Sequence, residues 1–135
     1  MESEQMNEFR PLILVAEDDD SNFKLIKAII GKKCDIEWAK NGQEMVELFQ
    51  QHQERTKAML MDIKMPRMDG YTATREIRTL PNNRKANVPI VAMTANAFEE
   101  DRKKAFECGM NGHIVKPIDR RSISKVLDQI FKEAK

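Results

Sequence analysis

The sequence reads Leu12-Ile13-Leu14-Val15-Ala16-Glu17-Asp18 near its start, and this stretch decides the fold. Five consecutive apolar residues are typical of a strand that is buried on both faces of a parallel sheet. Two carboxylates follow the last apolar residue directly. The stretch therefore predicts an inner strand that delivers acidic groups to one edge of the sheet.

Four more short apolar runs follow along the chain. The third and fourth of the five runs are continuously apolar, as buried strands are, whereas the second is mixed, as an edge strand is. The four runs are Ile36-Glu37-Trp38-Ala39, Ala58-Met59-Leu60-Met61, Pro89-Ile90-Val91-Ala92-Met93 and Gly112-His113-Ile114-Val115.

Between the runs, apolar residues recur with the 3.6-residue period of amphipathic helices. The helix between the fourth and fifth runs is weakly amphipathic, and we expect Phe98, Ala105 and Phe106 to anchor it. Cys108-Gly109 is expected to end this helix, and Asp119 to cap the last one. The other helices have the stripes Leu25, Ile26, Ile29 and Ile30; Met45, Leu48 and Phe49; Ala73, Ile77 and Leu80; and Ile123, Val126, Leu127, Ile130 and Phe131.

Strands and helices alternate strictly, five of each, which predicts a single doubly wound α/β domain over residues 11–135. Asp19 and Asp20 are expected to cap the first helix, and Asp69-Gly70 to form the turn before the third. Residues 1–10 are polar and aperiodic, which predicts an N-terminal tail or linker.

The composition argues against several classes of protein. The 135 residues carry 23 Lys and Arg against 22 Asp and Glu, with eight aromatic residues, so neither a basic field nor a base-stacking surface for nucleic acids is expected. No apolar run could span a bilayer and the start lacks a signal-peptide pattern, so we expect a soluble, cytoplasmic domain, although its parent protein could be membrane-anchored. Cys34 and Cys108 lack metal-ligand spacing and are expected to be buried thiols.

Polar groups follow four of the five runs: Glu17-Asp18, Asp62, Thr94 and Lys116. The second run is followed by Lys40-Asn41-Gly42, which is typical of a plain turn. Because the carboxyl ends of parallel strands meet at one edge of the sheet, three carboxylates and one ammonium should crowd together there. Crowded carboxylates raise one another's pKa or bind a cation such as Mg²⁺. The pattern predicts a site where a phosphoryl group passes to a carboxylate while Mg²⁺, Lys116 and Thr94 stabilise its oxygens.

Four motifs together resemble the receiver (response regulator) domain of two-component signalling, including the chemotaxis regulators. They occur in that family's order and spacing, and the resemblance covers about residues 11–135. The motifs are Leu14-Val15-Ala16-Glu17-Asp18-Asp19, Leu60-Met61-Asp62-Ile63-Lys64-Met65-Pro66-Arg67-Met68-Asp69-Gly70, Val91-Ala92-Met93-Thr94-Ala95 and Val115-Lys116-Pro117. The resemblance implies a five-stranded parallel sheet in the flavodoxin-like order 2-1-3-4-5, with helices on both faces.

The resemblance also implies roles for the acidic residues. Asp62 would be the phosphoacceptor, which takes a phosphoryl group from a partner's phosphohistidine to form an aspartyl phosphate. Glu17 and Asp18 would bind Mg²⁺ together with Asp62 and the backbone carbonyl of Lys64. Lys64 also stands at a position that tunes hydrolysis of the acyl phosphate, so the domain would catalyse its own phosphorylation and dephosphorylation.

The remaining site residues follow the fourth and fifth strands. Thr94 matches the switch hydroxyl, Ala95 the small residue that keeps the site open, and Asn96 a second position that tunes hydrolysis. Lys116 matches the lysine that contacts a phosphoryl oxygen, and the family usually has the next bond, here to Pro117, in cis. Phosphorylation would switch the surface around helix 4, strand 5 and helix 5.

Two residues depart from the family's pattern. Glu17 replaces the more usual aspartate, which adds a methylene group and favours contact with the metal through water. His113 stands in the place of the switch aromatic, usually Tyr or Phe. An imidazole is smaller and titrates near neutral pH, so the coupling between threonine and aromatic residue is expected to be altered, or His113 to be a passive side chain.

The protein to which such a domain belongs stays open at this point. The stretches 13–18 and 116–118 resemble receivers of hybrid sensor histidine kinases more than those of DNA-binding regulators. That context implies transfer between a histidine kinase domain and a histidine phosphotransfer protein, with no direct contact to nucleic acid or membrane. A stand-alone response regulator and a pseudo-receiver that works without phosphorylation are the alternatives. Where the domain is phosphorylated, a phosphorylation-dependent homodimer is a further expectation.

Two other classes share this layout but fit the sequence less well. An aspartyl-phosphate hydrolase would have Asp-x-Asp directly after its first strand, whereas Asp18 and Asp20 lie in a helix-capping acidic run preceded by Glu17. A flavin-binding domain would have a glycine- and hydroxyl-rich phosphate loop after Ala16, which the chain lacks.

Overall fold

A computed structural model describes residues 10–81, 87–95 and 98–133. Within these ranges, five strands alternate with five helices. The strands are β1 Leu12–Ala16, β2 Asp35–Ala39, β3 Thr56–Asp62, β4 Ile90–Thr94 and β5 Gly112–Val115. The helices are α1 Asp20–Ile30, α2 Gly42–Gln51, α3 Gly70–Arg78, α4 Glu99–Cys108 and α5 Arg120–Glu133.

All strand pairs are parallel, and the strands lie in the order β2-β1-β3-β4-β5. The predicted doubly wound sheet is therefore confirmed, with β2 at an edge. Every residue of β1 is buried, whereas β2 is mostly half-buried, which explains why the first run is continuously apolar and the second is mixed. Asp62 is paired with Met93, and Thr94 with Val115, so the carboxyl ends of the inner strands are level.

Three helices begin at an aspartate whose side chain accepts a hydrogen bond from a backbone N–H three residues later: Asp19, Asp69 and Asp119. These caps satisfy N–H groups that have no partner inside the helix. Asp20 is the first residue of α1, so only Asp19 of the two candidates caps it. Gly109 ends α4 with a φ of 108°, a conformation that favours glycine.

The predicted anchors of α4 are wrong for both aromatic residues. Phe98 is 70% exposed and Phe106 is 79% exposed. Phe98 precedes the helix, and Phe106 lies about 100° around the helix axis from Ala105, which is buried. The buried line of α4, all ten residues of which are described, consists of Ala105 and Cys108.

The predicted stripe of α1 is also wrong at one position. Leu25 is 41% exposed, because Ile26 and Ile30, one turn apart, form the line that faces the sheet. Both cysteines are free, buried thiols, as expected. In the parts of the chain that the structure describes, no helix is long and apolar enough to cross a membrane. Residues 1–9 of the predicted tail at 1–10, Asn96 and the side chain of Phe131 lie outside the described residues.

Candidate functional site

The carboxyl ends of β1, β3, β4 and β5 border a single cleft of about 400 Å³. The alignment of the parallel strands brings together side chains that are far apart in sequence. Seven of the predicted site residues line this cleft: Glu17, Asp18, Asp62, Lys64, Thr94, Ala95 and Lys116.

Hydrogen bonds between main-chain groups hold these strand ends in place. The N–H of Lys116 donates to the carbonyl of Thr94 at 2.7 Å, and the N–H of Ile63 donates to the carbonyl of Met93 at 3.1 Å. The loop after β3 returns to the same strand, because the N–H of Gly70 donates to the carbonyl of Ile63 at 2.9 Å. Asp62 therefore sits between two fixed backbone segments.

Gly70 is required by this close return. A Cβ atom at residue 70 would lie 2.3 Å from the carbonyl oxygen of Asp62, nearer than any real side chain can approach. The absence of a side chain lets α3 begin directly against the end of β3. The Asp69-Gly70 pair thus packs the start of α3 against the strand end that carries the central carboxylate.

The acidic residues of the cleft differ in exposure. Glu17 is fully buried and Asp62 is 3% exposed, whereas Asp18 faces solvent. One carboxylate oxygen from each residue lies within 4.8 Å of the other two. Buried like charges at this spacing repel one another unless a proton, a cation or an ammonium group compensates them.

Lys116 supplies part of the compensation. Its Nζ atom lies 3.1 Å from Oδ2 of Asp62 and 3.3 Å from Oε1 of Glu17. Burial would lower the pKa of Lys116, but the charges of Asp62 and Glu17 outweigh that effect and raise it. The lysine is therefore a fixed positive charge between two carboxylates.

Glu17 remains incompletely satisfied in spite of this contact. Burial, followed by the hydrogen bond and negative charge of Asp62, raises the pKa of Glu17 to about 7, and the charge of Lys116 only partly opposes the shift. The Oε1 atom is buried and has no hydrogen-bond partner among the described residues, although the ammonium of Lys116 lies 3.3 Å away as an ion pair. Buried polar atoms without partners are uncommon in folded proteins.

These features fit a hard divalent cation. The orphaned oxygen of Glu17 and the neighbouring oxygens of Asp18 and Asp62 are ligand atoms of the type that Mg²⁺ prefers. Burial is the main cause of the raised pKa of Glu17, and a bound cation would offset both that burial and the negative charge of Asp62. The donor set and the unsatisfied oxygen therefore agree with the metal site expected from the sequence.

Three predicted site residues lie elsewhere or cannot be placed. His113 does not line the cleft; it is half-buried beside a small cavity that Thr94 also borders. Burial, and then the charge of Arg102, lower the pKa of His113. The bond between Lys116 and Pro117 is cis. Asn96 is not among the described residues.

Sequence reasoning missed two features of the site. The turn after β2 is more than a plain turn, because Asn41 is buried, caps α2, and is followed by Gly42, whose N–H donates to the carbonyl of Met68 at 3.0 Å. Tyr71 and Asp101 also line the cleft. An Asn-Gly pair at a strand end was a visible signal for the first feature, but only the fold brings Tyr71 and Asp101 together.

Residues 13–128 match the family model of the response regulator receiver domain. The chain belongs to this family. Its fold, its motifs and the match over most of its length agree, so it is a receiver domain of the two-component phosphorelay class.

Known receiver domains and their parent proteins give the same result. This receiver domain is 37% identical over 127 residues to hybrid signal transduction histidine kinase I of Dictyostelium discoideum, an alignment that covers 89% of this chain and 7% of the kinase. The chain thus spans a small part of the curated relatives that it matches.

Two solved structures are informative neighbours. The receiver domain of a sensor histidine kinase from Pseudomonas aeruginosa, crystallised with a magnesium ion in its active site cleft, is 35% identical with a TM-score of 0.78, and the match covers 89% of this chain and 96% of that one. The receiver domain of the response regulator Ssk1 of Saccharomyces cerevisiae, solved with the histidine phosphotransfer protein Ypd1, is 28% identical with a TM-score of 0.79; the match covers 89% of this chain and 88% of that one.

Proposed function

We propose that Asp62 is the phosphoacceptor and that a phosphohistidine of a partner protein is the donor. The observation that carries this proposal is the placement of Asp62 in the cleft, buried, with the ammonium of Lys116 at 3.1 Å; the same ammonium lies 3.3 Å from Glu17. A carboxylate fixed in this way is a nucleophile whose product can be stabilised where it forms.

The transfer is a simple exchange of bonds. A carboxylate oxygen of Asp62 forms a bond to phosphorus while the phosphorus–nitrogen bond of the phosphohistidine breaks, and the electron pair of that bond stays with the imidazole nitrogen. Lys116 then offers its charge to one phosphoryl oxygen and Thr94 donates a hydrogen bond to another. Hydrolysis by water later returns Asp62 to its free form.

Glu17, Asp18, Asp62 and the backbone carbonyl of Lys64 would hold Mg²⁺ in this reaction. When bound, the ion supplies positive charge for the phosphoryl oxygens. The orphaned oxygen of Glu17 and the magnesium-bound Pseudomonas aeruginosa receiver domain support this assignment. The longer side chain of Glu17 favours contact with the ion through water.

The partner that fits the cleft is a histidine kinase domain or a histidine phosphotransfer protein. The Ssk1 receiver domain in complex with Ypd1 and the match to a hybrid histidine kinase support this choice, and they favour a hybrid kinase as the parent protein. A stand-alone response regulator is the second candidate, and a cytoplasmic location fits both. In each case, the response would reach the surface around α4, β5 and α5, where phosphorylation could also promote a homodimer.

Intact-protein mass after incubation with acetyl phosphate tests this function. With Mg²⁺, we expect the wild-type chain to gain one phosphoryl group, and the gain to vanish in Asp62→Ala and when Mg²⁺ is removed with EDTA. Asp20→Ala, which removes an exposed aspartate on α1, is the matched control and should keep the gain. Labelling that persists in Asp62→Ala would identify another acceptor, and no gain in the wild-type chain would favour a pseudo-receiver.

A further inference from the structure

Tyr71 lies between the cleft and a small cavity beside it. Its side chain is 7% exposed and borders the cleft that contains Asp62. It also borders the small cavity, about 10 Å³, that Thr94 and His113 line. His113 reaches only the second of these two spaces. Tyr71 is therefore the aromatic side chain that connects them.

The backbone of Tyr71 is fixed relative to the central carboxylate. Gly70 is bonded to Ile63 and packed against the carbonyl of Asp62, and Asp69 caps the helix that starts here. The hydroxyl of Thr74 donates to the carbonyl of Gly70 at 2.8 Å and closes the first turn. The backbone at Tyr71 is therefore tied to the end of β3, where Asp62 lies.

Two charged residues of α4, Lys104 and Asp101, lie near this tyrosine. The Nζ atom of Lys104 lies over the ring of Tyr71, 4.7 Å from its centroid. Asp101 borders both the cleft and the small cavity. Burial, and then the charge of Asp101, raise the pKa of Tyr71, which agrees with a carboxylate close to the phenol.

The contact is significant because α4 buries few of its own residues, although Arg78 donates two hydrogen bonds to the carbonyl of Gly109 at its C-terminal end. Of the ten residues of α4, all described, only Ala105 and Cys108 are buried; Phe98, which precedes the helix, and Phe106, within it, are exposed. A helix with so few buried apolar groups opens at low energetic cost. The attraction between Lys104 and the ring of Tyr71 therefore contributes to holding α4 in position.

We infer that Tyr71 is the positioning residue through which occupancy of the Asp62 cleft reaches α4, and that Lys104 over its ring holds the resting position. The coupling rests on the proposed function, whereas the resting contact does not. A phosphoryl group adds negative charge to the space that Tyr71 and Asp101 border. It repels Asp101 and competes with the ring for Lys104, so α4 is released.

Hydrogen exchange of the α4 backbone amides, residues 99–108, tests the resting contact in the free protein. We expect Lys104→Met to raise their exchange rates about two- to fivefold, the effect of losing one cation–π interaction at an exposed site. Lys104→Arg should restore the wild-type rates, and Lys103→Met, an exposed neighbour, should leave them unchanged. Wild-type rates in Lys104→Met would overturn the inference.

A double-mutant cycle separates this contact from general loosening. Tyr71→Phe keeps the ring and should behave as the wild type, whereas Tyr71→Leu should raise exchange in α4 as Lys104→Met does. Adding Lys104→Met to Tyr71→Leu should then have no further effect, because the partner is already gone. Additive effects would refute the pairing. If Tyr71→Leu fails to fold, the Lys104 series still decides, because Lys104 is exposed.

The coupling is measured by repeating the exchange with Mg²⁺ and beryllofluoride, a phosphoryl mimic, while intact mass follows phosphoryl uptake in parallel. The wild-type chain should show faster exchange in α4, and Lys104→Met should show little further increase although it still takes up a phosphoryl group. If beryllofluoride raises exchange in α4 of Lys104→Met as much as in the wild type, the coupling is contradicted, whereas the proposed function and the resting contact are not. No phosphoryl uptake and no beryllofluoride response in the wild-type chain would contradict the proposed function and the coupling together, but not the resting contact.

Discussion

The buried and half-buried carboxylates at the two ends of the sheet differ in the charges that surround them. At the amino end, Asp35 at the start of β2 receives two arginines: Nε of Arg10 lies 2.9 Å from its Oδ1, and Arg55 pairs with its Oδ2. Arg10 also donates to the backbone carbonyls of Gly31, Lys32 and Cys34. Asp35 is therefore surrounded by two positive charges, and Arg10 also satisfies three neighbouring carbonyls.

At the carboxyl end, the balance is reversed. Three carboxylates share one ammonium, and an oxygen of Glu17 has no hydrogen bond among the described residues. The pKa values respond accordingly: burial and Asp62 raise that of Glu17 to about 7. Burial opposes the change at Asp35, but hydrogen bonds from Arg55 and Arg10 outweigh it and lower the pKa. The carboxylate at the amino end is compensated by two arginines. The carboxyl end keeps uncompensated negative charge, which a cation could offset, and one ammonium, which could bind an anion.

Among the substitutions that test this difference between the two ends, removing Lys116 should change the free energy of unfolding most. At pH 8 without Mg²⁺, Lys116→Met leaves Glu17 and Asp62 with no counter-charge, and we expect the free energy of unfolding in urea to fall by roughly 1–3 kcal/mol. The loss should shrink at pH 6, where Glu17 binds a proton. Phosphoryl uptake should remain possible, but the beryllofluoride response of α4 should disappear.

Arg55→Met is the matched control at the amino end. Arg55 is 42% exposed, and Arg10 remains beside Asp35 after its loss, so the decrease should be about 0.5 kcal/mol and independent of pH between 6 and 8. A full beryllofluoride response in Lys116→Met would show that α4 responds to the cleft without the contact between Lys116 and a phosphoryl oxygen.

Replacing Glu17 should change how stability depends on pH. The pKa of Glu17 is raised above its usual value, so its contribution to stability is present below about pH 4.5 and is lost as pH rises through about 7. In EDTA, Glu17→Gln should remove most of the loss between pH 5 and 8 and be more stable than the wild type at pH 8 by roughly 1–3 kcal/mol. An unchanged pH profile from urea unfolding would show that the carboxyl group is ionised throughout.

A smaller effect than at Lys116 or Glu17, with the opposite dependence on pH, is expected at Asp35. Because its pKa is lowered, its contribution to stability is present above the usual carboxyl pKa, about 4, and is lost as pH falls below that. Asp35→Asn should lower the free energy of unfolding at pH 7 by about 1 kcal/mol and leave phosphoryl uptake intact. Glu37→Gln, an exposed position on the same strand, should change neither. Impaired phosphoryl uptake in Asp35→Asn would mean that the two ends are not independent.

The sheet was predictable because its buried strands consist of consecutive apolar residues. A run such as Leu12–Ala16 can be satisfied only between two layers, and parallel strands then bring Asp62 and Lys116 to one edge. The predicted thiols and caps depended equally on local chemistry. Most of the candidate cleft could thus be assembled from the sequence.

The errors and omissions concern contacts between distant elements. The spacing of Phe98, Ala105 and Phe106 could not show which side of a short, charged helix would meet the sheet. Leu25 fits the apolar spacing of a helix stripe, but Ile26 and Ile30 are the residues of α1 that are buried against the sheet. The position of Tyr71 depends on where α4 packs, which no local pattern records.

The indole of Trp38 gives this site a natural optical indicator. Trp38 is the only tryptophan of the chain, and its Nε1–H donates to the backbone carbonyl of Glu17 at 2.7 Å. Its ring stacks on Phe23 with centroids 4.1 Å apart, so it is held in place. Indole emission is sensitive to nearby charge and hydrogen bonding. Unlabelled protein can therefore signal, by its own fluorescence, when the acidic pocket fills or empties.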